Sequence, residues 1–149
     1  MKRILFLCTG NYYRSRFSEE YFNHYARLTA LPYEAFSRAL LQDLSITGNV
    51  GNMAKTAVNT LKALGIPVKG LERQPQSLTE QDIMDADIII AMDQAEHQPM
   101  LEKCFPSYSQ LVHYYAVKDV DQMPASEALK ALGQILDELL SELTKKKYV

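Results

Sequence analysis

Cys8 and Arg14 are separated by Thr9, Gly10, Asn11, Tyr12 and Tyr13, and Ser15 follows directly. A loop of this length can wrap one tetrahedral oxyanion. Its backbone N–H groups then point inward, and a helix beginning near Ser15 adds its positive end. Arg14 supplies a planar two-donor fork that matches two oxygens of a phosphoryl group. The same positive field suits a thiolate nucleophile at Cys8. Gly10 removes a side chain where the backbone turns closely. Asn11 tolerates a left-handed conformation and can bond across the loop. Ser15 is placed to donate a hydrogen bond to the sulfur. Cys with Arg six positions on is a weak signal alone, and a buried core thiol beside a surface Arg is the plain alternative. The intervening Gly10 and Asn11, the Ser15 that follows and the flanking elements favour the anion loop.

Those elements have to place the loop. Residues 3–8 form an apolar run without alternation, as expected of a central parallel strand buried on both faces. Residues 15–29 carry Phe17, Tyr21, Phe22, Tyr25 and Leu28 at helical spacing, with Ser15 or Asn11 as the expected cap. Leu31-Pro32 ends that helix. Tyr33–Ser37 is expected to be a strand, and 38–49 a long connection. Met53, Ala57, Leu61 and Leu64 mark a helix stopped by Gly65-Ile66-Pro67. Val68–Gly70 reads as a short strand and 71–78 as a polar loop. Thr79 with Asp82 reads as a helix start, Asp87–Ala91 as a second buried strand, and Asp93 with Glu96 as the cap of a helix over 94–104. Leu111–Tyr115 reads as the last strand. Leu129, Leu132, Leu136, Leu139, Leu140 and Leu143 mark a long C-terminal amphipathic helix, with Lys145–Lys147 at its end. Strands alternating with helices predict an α/β fold: a flavodoxin-like three-layer sandwich, a four-stranded parallel sheet with helices on both faces, forming a single domain over 1–149. Ligands bind such sheets outside the C-terminal strand ends, where Cys8 and the loop after 111–115 both fall.

The chain has 149 residues, 47% hydrophobic and 23% charged, with net charge −2. There is no basic surplus of the kind nucleic acid selects, so no nucleic-acid partner is expected. Two Cys give no disulfide framework, and a free thiol suits a cytoplasmic location. No stretch approaches the ~20 apolar residues of a membrane span, and the first apolar run is too short for a signal peptide. His24, His97 and His113 lack metal-ligand spacing, so no metal is expected, and no organic cofactor. Asp82, Asp85, Asp87 and Asp93 flank caps and a strand and read as structural. Cys104 shares a helical stripe with His97, Met100 and Leu101, which predicts a core-facing thiol.

The segment CTGNYYRS resembles the phosphate loop of low-molecular-weight protein tyrosine phosphatases, Cys-x-Gly-Asn-x-Cys-Arg-Ser. Echoes run along almost the whole chain. Phe36-Ser37-Arg38-Ala39 falls where the family has a strand ending in Ser-Ala-Gly. Arg73, Leu78-Thr79 and Ile88–Asp93 are similar to its Arg…Leu-Thr and apolar-Met-Asp segments. Val117-Lys118-Asp119 falls where the family has the Asp of an Asp-Pro pair. The resemblance implies phosphomonoester hydrolysis through a phosphocysteine. Cys8 is then the nucleophile, Arg14 and the loop amides bind phosphate, and Asn11 and Ser15 organise the loop. Thr9, Gly10, Asn11, Tyr12, Tyr13 and Ser15 form the substrate-binding loop. Asp119 is the expected general acid and base, with Asp121 as runner-up. Acidic loop residues more often only solvate a turn, so without the resemblance neither Asp stands out.

This sequence departs from the family at several points. Tyr13 replaces the second loop Cys, so an intraloop disulfide cannot form. Arg16 replaces a Pro. Asp119-Val120-Asp121 replaces Asp-Pro, and Gln122 and Met123 replace the tyrosines that follow it. The expected substrate is a phosphorylated protein or a small phosphoester; the oligomeric state is left open. The alternatives are a phosphate-binding or phospho-carrier module without hydrolysis, akin to sugar-phosphotransfer B components, and an arsenate reductase. Thioredoxin-coupled arsenate reductases need two further cysteines, and only Cys104 remains.

Overall fold

A computed structural model describes residues 1–147, with side chains to 146. Its four strands are β1 (Lys2–Cys8), β2 (Tyr33–Ala39), β3 (Ile88–Ala91) and β4 (His113–Tyr114). All pair in parallel, in the order β2-β1-β3-β4. The helices are α1 (Arg14–Leu28), α2 (Lys55–Ala63), α3 (Glu80–Asp85), α4 (Gln94–Cys104) and α5 (Ala125–Lys147).

The lack of alternation in β1 has a direct cause. Ile4 and Phe6 pack with Phe17 and Phe22 of α1, Leu61 of α2 and Leu132 and Leu136 of α5. Leu5 and Leu7 pack on the other face with Ile83 of α3 and Leu101 of α4. All four β1 side chains are fully buried, each worth about 1.5–3 kcal/mol of transfer free energy. A strand between two helical layers needs apolar residues at every position. The expected α/β sandwich with helices on both faces is what the chain forms.

The sheet order changes direction between β1 and β3. The chain first moves outward to β2, then returns past β1 to β3 and β4. The loop after β1 therefore opens at the switch point, beside the loop after β4.

Several expectations are corrected. Val68–Gly70 is not a strand: it follows Gly65, which turns the chain at φ +77°, and Val68 packs against the helical core outside the sheet. The last strand is only His113–Tyr114, because Pro106–Leu111 is wound as 3-10 helix. Leu28 is exposed, and Ala26 carries that turn of α1 to the core. Helix α1 is capped by neither Ser15 nor Asn11; its N-cap is Tyr13, which makes no side-chain capping bond. Cys104 is exposed rather than core-facing. It is the last residue of α4, and Phe105 packs with that core in its place.

Candidate active site

Leu40 and Leu41 donate their backbone N–H to the carbonyls of Cys8 and Thr9, at 2.9 and 3.1 Å. Ala54 and Phe17 donate to those of Tyr12 and Tyr13, at 2.9 and 3.0 Å. A trans peptide plane points its N–H opposite to its C=O. With these carbonyls turned outward, the N–H groups of Thr9, Gly10, Tyr13 and Arg14 face the other way, forming a concave nest. No side chain caps the start of α1, so its first-turn donors add to that nest.

Asn11 sits at the pivot of the loop with φ +50°, in the left-handed region that Asn tolerates better than most residues. It is fully buried. Its Nδ2 donates to Ser15 Oγ and to Ser37 Oγ, both at 2.9 Å. Its Oδ1 accepts from the Gln76 backbone at 3.1 Å and from Arg73 Nη1 at 3.3 Å. Ser37 passes its own proton to Glu19 at 2.6 Å, and Arg73 binds both Ser37 and Glu19. Ser15 Oγ lies 3.0 Å from Cys8 Sγ. As a thiol, Cys8 donates to Ser15 Oγ, which also accepts from Asn11; once the sulfur is ionised, the Ser15 proton can turn to it. The Ser37 and Arg73 segments thus underlie the loop.

Arg14 is 1% exposed and the Cys8 residue 2%. Arg14 Nη1 donates to Glu96 Oε1 and to the Val117 carbonyl, each at 3.0 Å. Arg14 Nη2 donates to Glu96 Oε2 at 2.7 Å and lies 3.6 Å from Asp119 Oδ2. Burial alone would lower the guanidinium's pKa, but the Glu96 hydrogen bond and the fields of Cys8, Glu96 and Asp119 push it up. Burial alone would raise the pKa of Glu96. Hydrogen bonds from His97, Arg14 and Thr9 nevertheless hold its carboxyl well below the usual carboxylate range.

Two buried side-chain polar atoms lack a partner among the described residues, Arg14 Nε and Tyr13 Oη. Cys8, Gly10, Tyr12, Tyr13, Arg14 and Asp119 line one cavity of about 170 Å³. Both orphaned atoms therefore belong to residues on that cavity, where each leaves a donor to offer. Asn49, Ala54, Thr56 and Val120 complete the wall. Of the two acid candidates, Asp119 reaches the cavity; its side chain is 43% exposed, and Asp121 is exposed outside it.

Sequence reasoning missed three parts of this site. The 49–56 wall gave no signal. Glu96 reads in sequence as a capping residue, and His97 as an isolated histidine. In the structure Asp93 caps α4 by accepting from the Glu96 N–H at 3.0 Å. The Asp93 N–H goes to His97 Nδ1, also at 3.0 Å, so Glu96 does not reach back and is free to meet Arg14. A buried Arg needs an acidic partner, but no local pattern tells which acid, here 82 positions away, supplies it.

A four-stranded parallel sheet with a buried Cys and Arg on the loop at its switch point defines a class of α/β folds whose sites lie outside the C-terminal strand ends. The family model described as low molecular weight phosphotyrosine protein phosphatase matches residues 3–146, and the chain belongs to that family. No curated protein sequence matches it. Its structure is similar to YfkJ of Bacillus subtilis, with 25% identity and TM-score 0.82 over 99% of this chain and 97% of that one. It is similar to the low molecular weight protein tyrosine phosphatase of T. tengcongensis, with 25% identity and TM-score 0.79 over 95% and 99%. The YwlE arginine phosphatase of Geobacillus stearothermophilus shares the fold at 22% identity and TM-score 0.77 over 99% and 96%.

Proposed function

We propose that the chain hydrolyses phosphomonoesters through a phosphocysteine. The observation that supports this most is the meeting of Cys8, Arg14 and Asp119 on one cavity beside an outward-turned carbonyl loop. The Cys8 sulfur attacks phosphorus, and the S–P bond forms as the bond to the leaving oxygen breaks. Asp119 gives that oxygen its proton. The carboxylate then takes a proton from water, which attacks phosphorus, breaks the S–P bond and releases inorganic phosphate. The loop N–H groups and Arg14 meet the charge that builds on the phosphoryl oxygens.

The Tyr12, Tyr13, Ala54 and Val120 walls suit a flat aromatic leaving group, so phosphotyrosine in a protein is the favoured substrate and an aryl phosphate its small analogue. An acid facing the cavity favours hydrolysis over a carrier role, which needs none. Arsenate reduction lacks its relay, since Cys104 stands alone at the far end of α4.

The test is turnover of para-nitrophenyl phosphate, phosphotyrosine peptide and phosphoarginine without added metal. Wild type is expected to turn over the aryl ester best. Cys8→Ser is expected to fall to background, a loss of roughly 10⁴-fold or more. Undiminished turnover by Cys8→Ser contradicts the reading.

A further inference from the structure

Glu96 meets the arginine that should hold the phosphoryl group, and a carboxylate there could either compete with the substrate or aim the guanidinium at it. Counting the donors of Arg14 decides between them. Nη1 gives one proton to Glu96 Oε1 and one to the Val117 carbonyl. Nη2 gives one proton to Glu96 Oε2. What remains is Nε–H, which is buried without a partner, and the second proton of Nη2, which no hydrogen bond takes, although Asp119 Oδ2 lies 3.6 Å from that nitrogen at the cavity side. These two lie on one edge of the planar group and point the same way, as bidentate recognition of an oxyanion requires. Glu96 occupies the end of the guanidinium and leaves the side edge free.

Glu96 is itself held firmly. Its Oε2 accepts from Arg14 and from the Thr9 hydroxyl, and His97 Nε2 lies 3.1 Å away. His97 Nδ1 accepts from the Asp93 backbone, so in the neutral ring Nε2 carries the proton and faces Thr9 and Glu96. Asp93 also binds Lys118, at 2.8 Å, the neighbour of Asp119. One cluster thus ties the oxyanion loop through Thr9, the guanidinium through Glu96 and the acid loop through Lys118 and Val117.

We propose that Glu96 is a positioning residue for oxyanion binding: it clamps Arg14 end-on, so that Nε and the free Nη2 proton form the bidentate edge of the phosphoryl site. This rests on the anion-loop reading of Cys8–Ser15, but binding can be measured without turnover. The competing effect has the opposite sign. Neutralising Glu96 removes a negative charge near the bound anion, which by Coulomb's law alone tightens binding.

The test is calorimetric titration with tungstate, a tetrahedral oxyanion, on wild type, Glu96→Gln, Arg14→Lys and the double variant. Glu96→Gln is expected to weaken tungstate binding roughly tenfold, since the amide keeps one acceptor oxygen where the carboxylate has two and turns an NH2 donor against one Nη group. A lysine has no edge to aim. In the Arg14→Lys background, Glu96→Gln should therefore leave binding unchanged or slightly tighter, and this non-additivity separates aiming from general damage. Tighter binding by Glu96→Gln alone, no change, or the same loss in both backgrounds overturns the proposal. If Glu96→Gln does not fold, Glu96→Asp, one methylene shorter, should lose part of the clamp and give an intermediate loss; wild-type affinity there overturns it too. Tungstate binding with the expected pattern but no phosphatase turnover would leave this clamp standing and remove the hydrolytic reading.

Discussion

The floor of the cavity around Cys8 is buried and cross-bonded: Asn11, Arg14 and Ser15 are almost wholly inside, and their polar groups are tied to Ser37, Arg73, Gln76, Glu96 and Val117. The rim is different. Asn49 and Val120 are exposed, Asp119 is half-exposed, and the Tyr12 hydroxyl makes one 2.6 Å bond, to the carbonyl of Val50, a residue 85% exposed. Floor positions are over-determined by many partners, so their geometry is costly to change. Rim side chains are more exposed and have fewer polar partners than those of the floor, so changes there cost less.

Arg16 joins the two regions. It is 1% exposed and donates to the Asn52 carbonyl at 2.9 Å and the Gly70 carbonyl at 2.7 Å. Burial, then Arg73, lowers its pKa to about 10, which still leaves it charged near neutral pH. Arg16 is thus a tether from α1 to the segment forming the rim and to the turn at Gly70.

The sharpest break between chemistry and binding is expected at Asp119. Asp119→Ala should lower kcat by about 10²–10³-fold in steady-state assays, while tungstate affinity stays within a fewfold, and Asp121→Ala should lose less than about twofold. Equal losses in the two variants would shift the acid role away from Asp119. A floor change should cost both stability and activity. Asn11→Ala removes the hub of four hydrogen bonds and places Ala at φ +50°; urea unfolding should show about 2–4 kcal/mol of lost stability.

The acid limb of stability gives a further contrast. The Glu96 carboxyl is held below its ordinary value of 4.5, so its stabilising contribution is fully present above that value. It declines as pH falls through and below 4.5 toward the lowered folded-state value. Melting temperatures of Glu96→Gln should therefore fall less steeply than wild type below that pH. Parallel curves would mean the clamp carries no linked stability. The smallest effect is expected at the rim. Tyr12→Phe loses only the bond to Val50 and should change kcat/KM by about threefold or less, with melting unchanged.

Much of this architecture could be read from residue order. Strands β1 and β3 are apolar without alternation because helices cover both their faces, and Gly10, Asn11 and Ser15 around Cys8 and Arg14 announce the loop. The parts that could not be read have physical causes. Strand β4 is two residues long, too short for any periodicity to show. Val68 is apolar because it packs on helices, and a short apolar stretch says nothing of which partner buries it. Glu96 three after Asp93 has the spacing of a capping residue, yet its side chain meets Arg14, 82 positions away in sequence. Local pattern reports local bonds, and the 49–56 wall likewise reaches the cavity through bonds to Tyr12 and Arg16, some 36 to 42 positions earlier, and through the packing of α2 against α1.

The central claim is that Cys8 takes the phosphoryl group. It is tested most directly by rapid acid quench of the Asp119→Ala variant with an aryl phosphate, followed by mass analysis of the peptide containing Cys8. A peptide heavier by one phosphoryl group, with the label on the Cys8 sulfur and absent from Cys8→Ser, is the predicted result. Release of the phenol with no label on Cys8 at any quench time would contradict it.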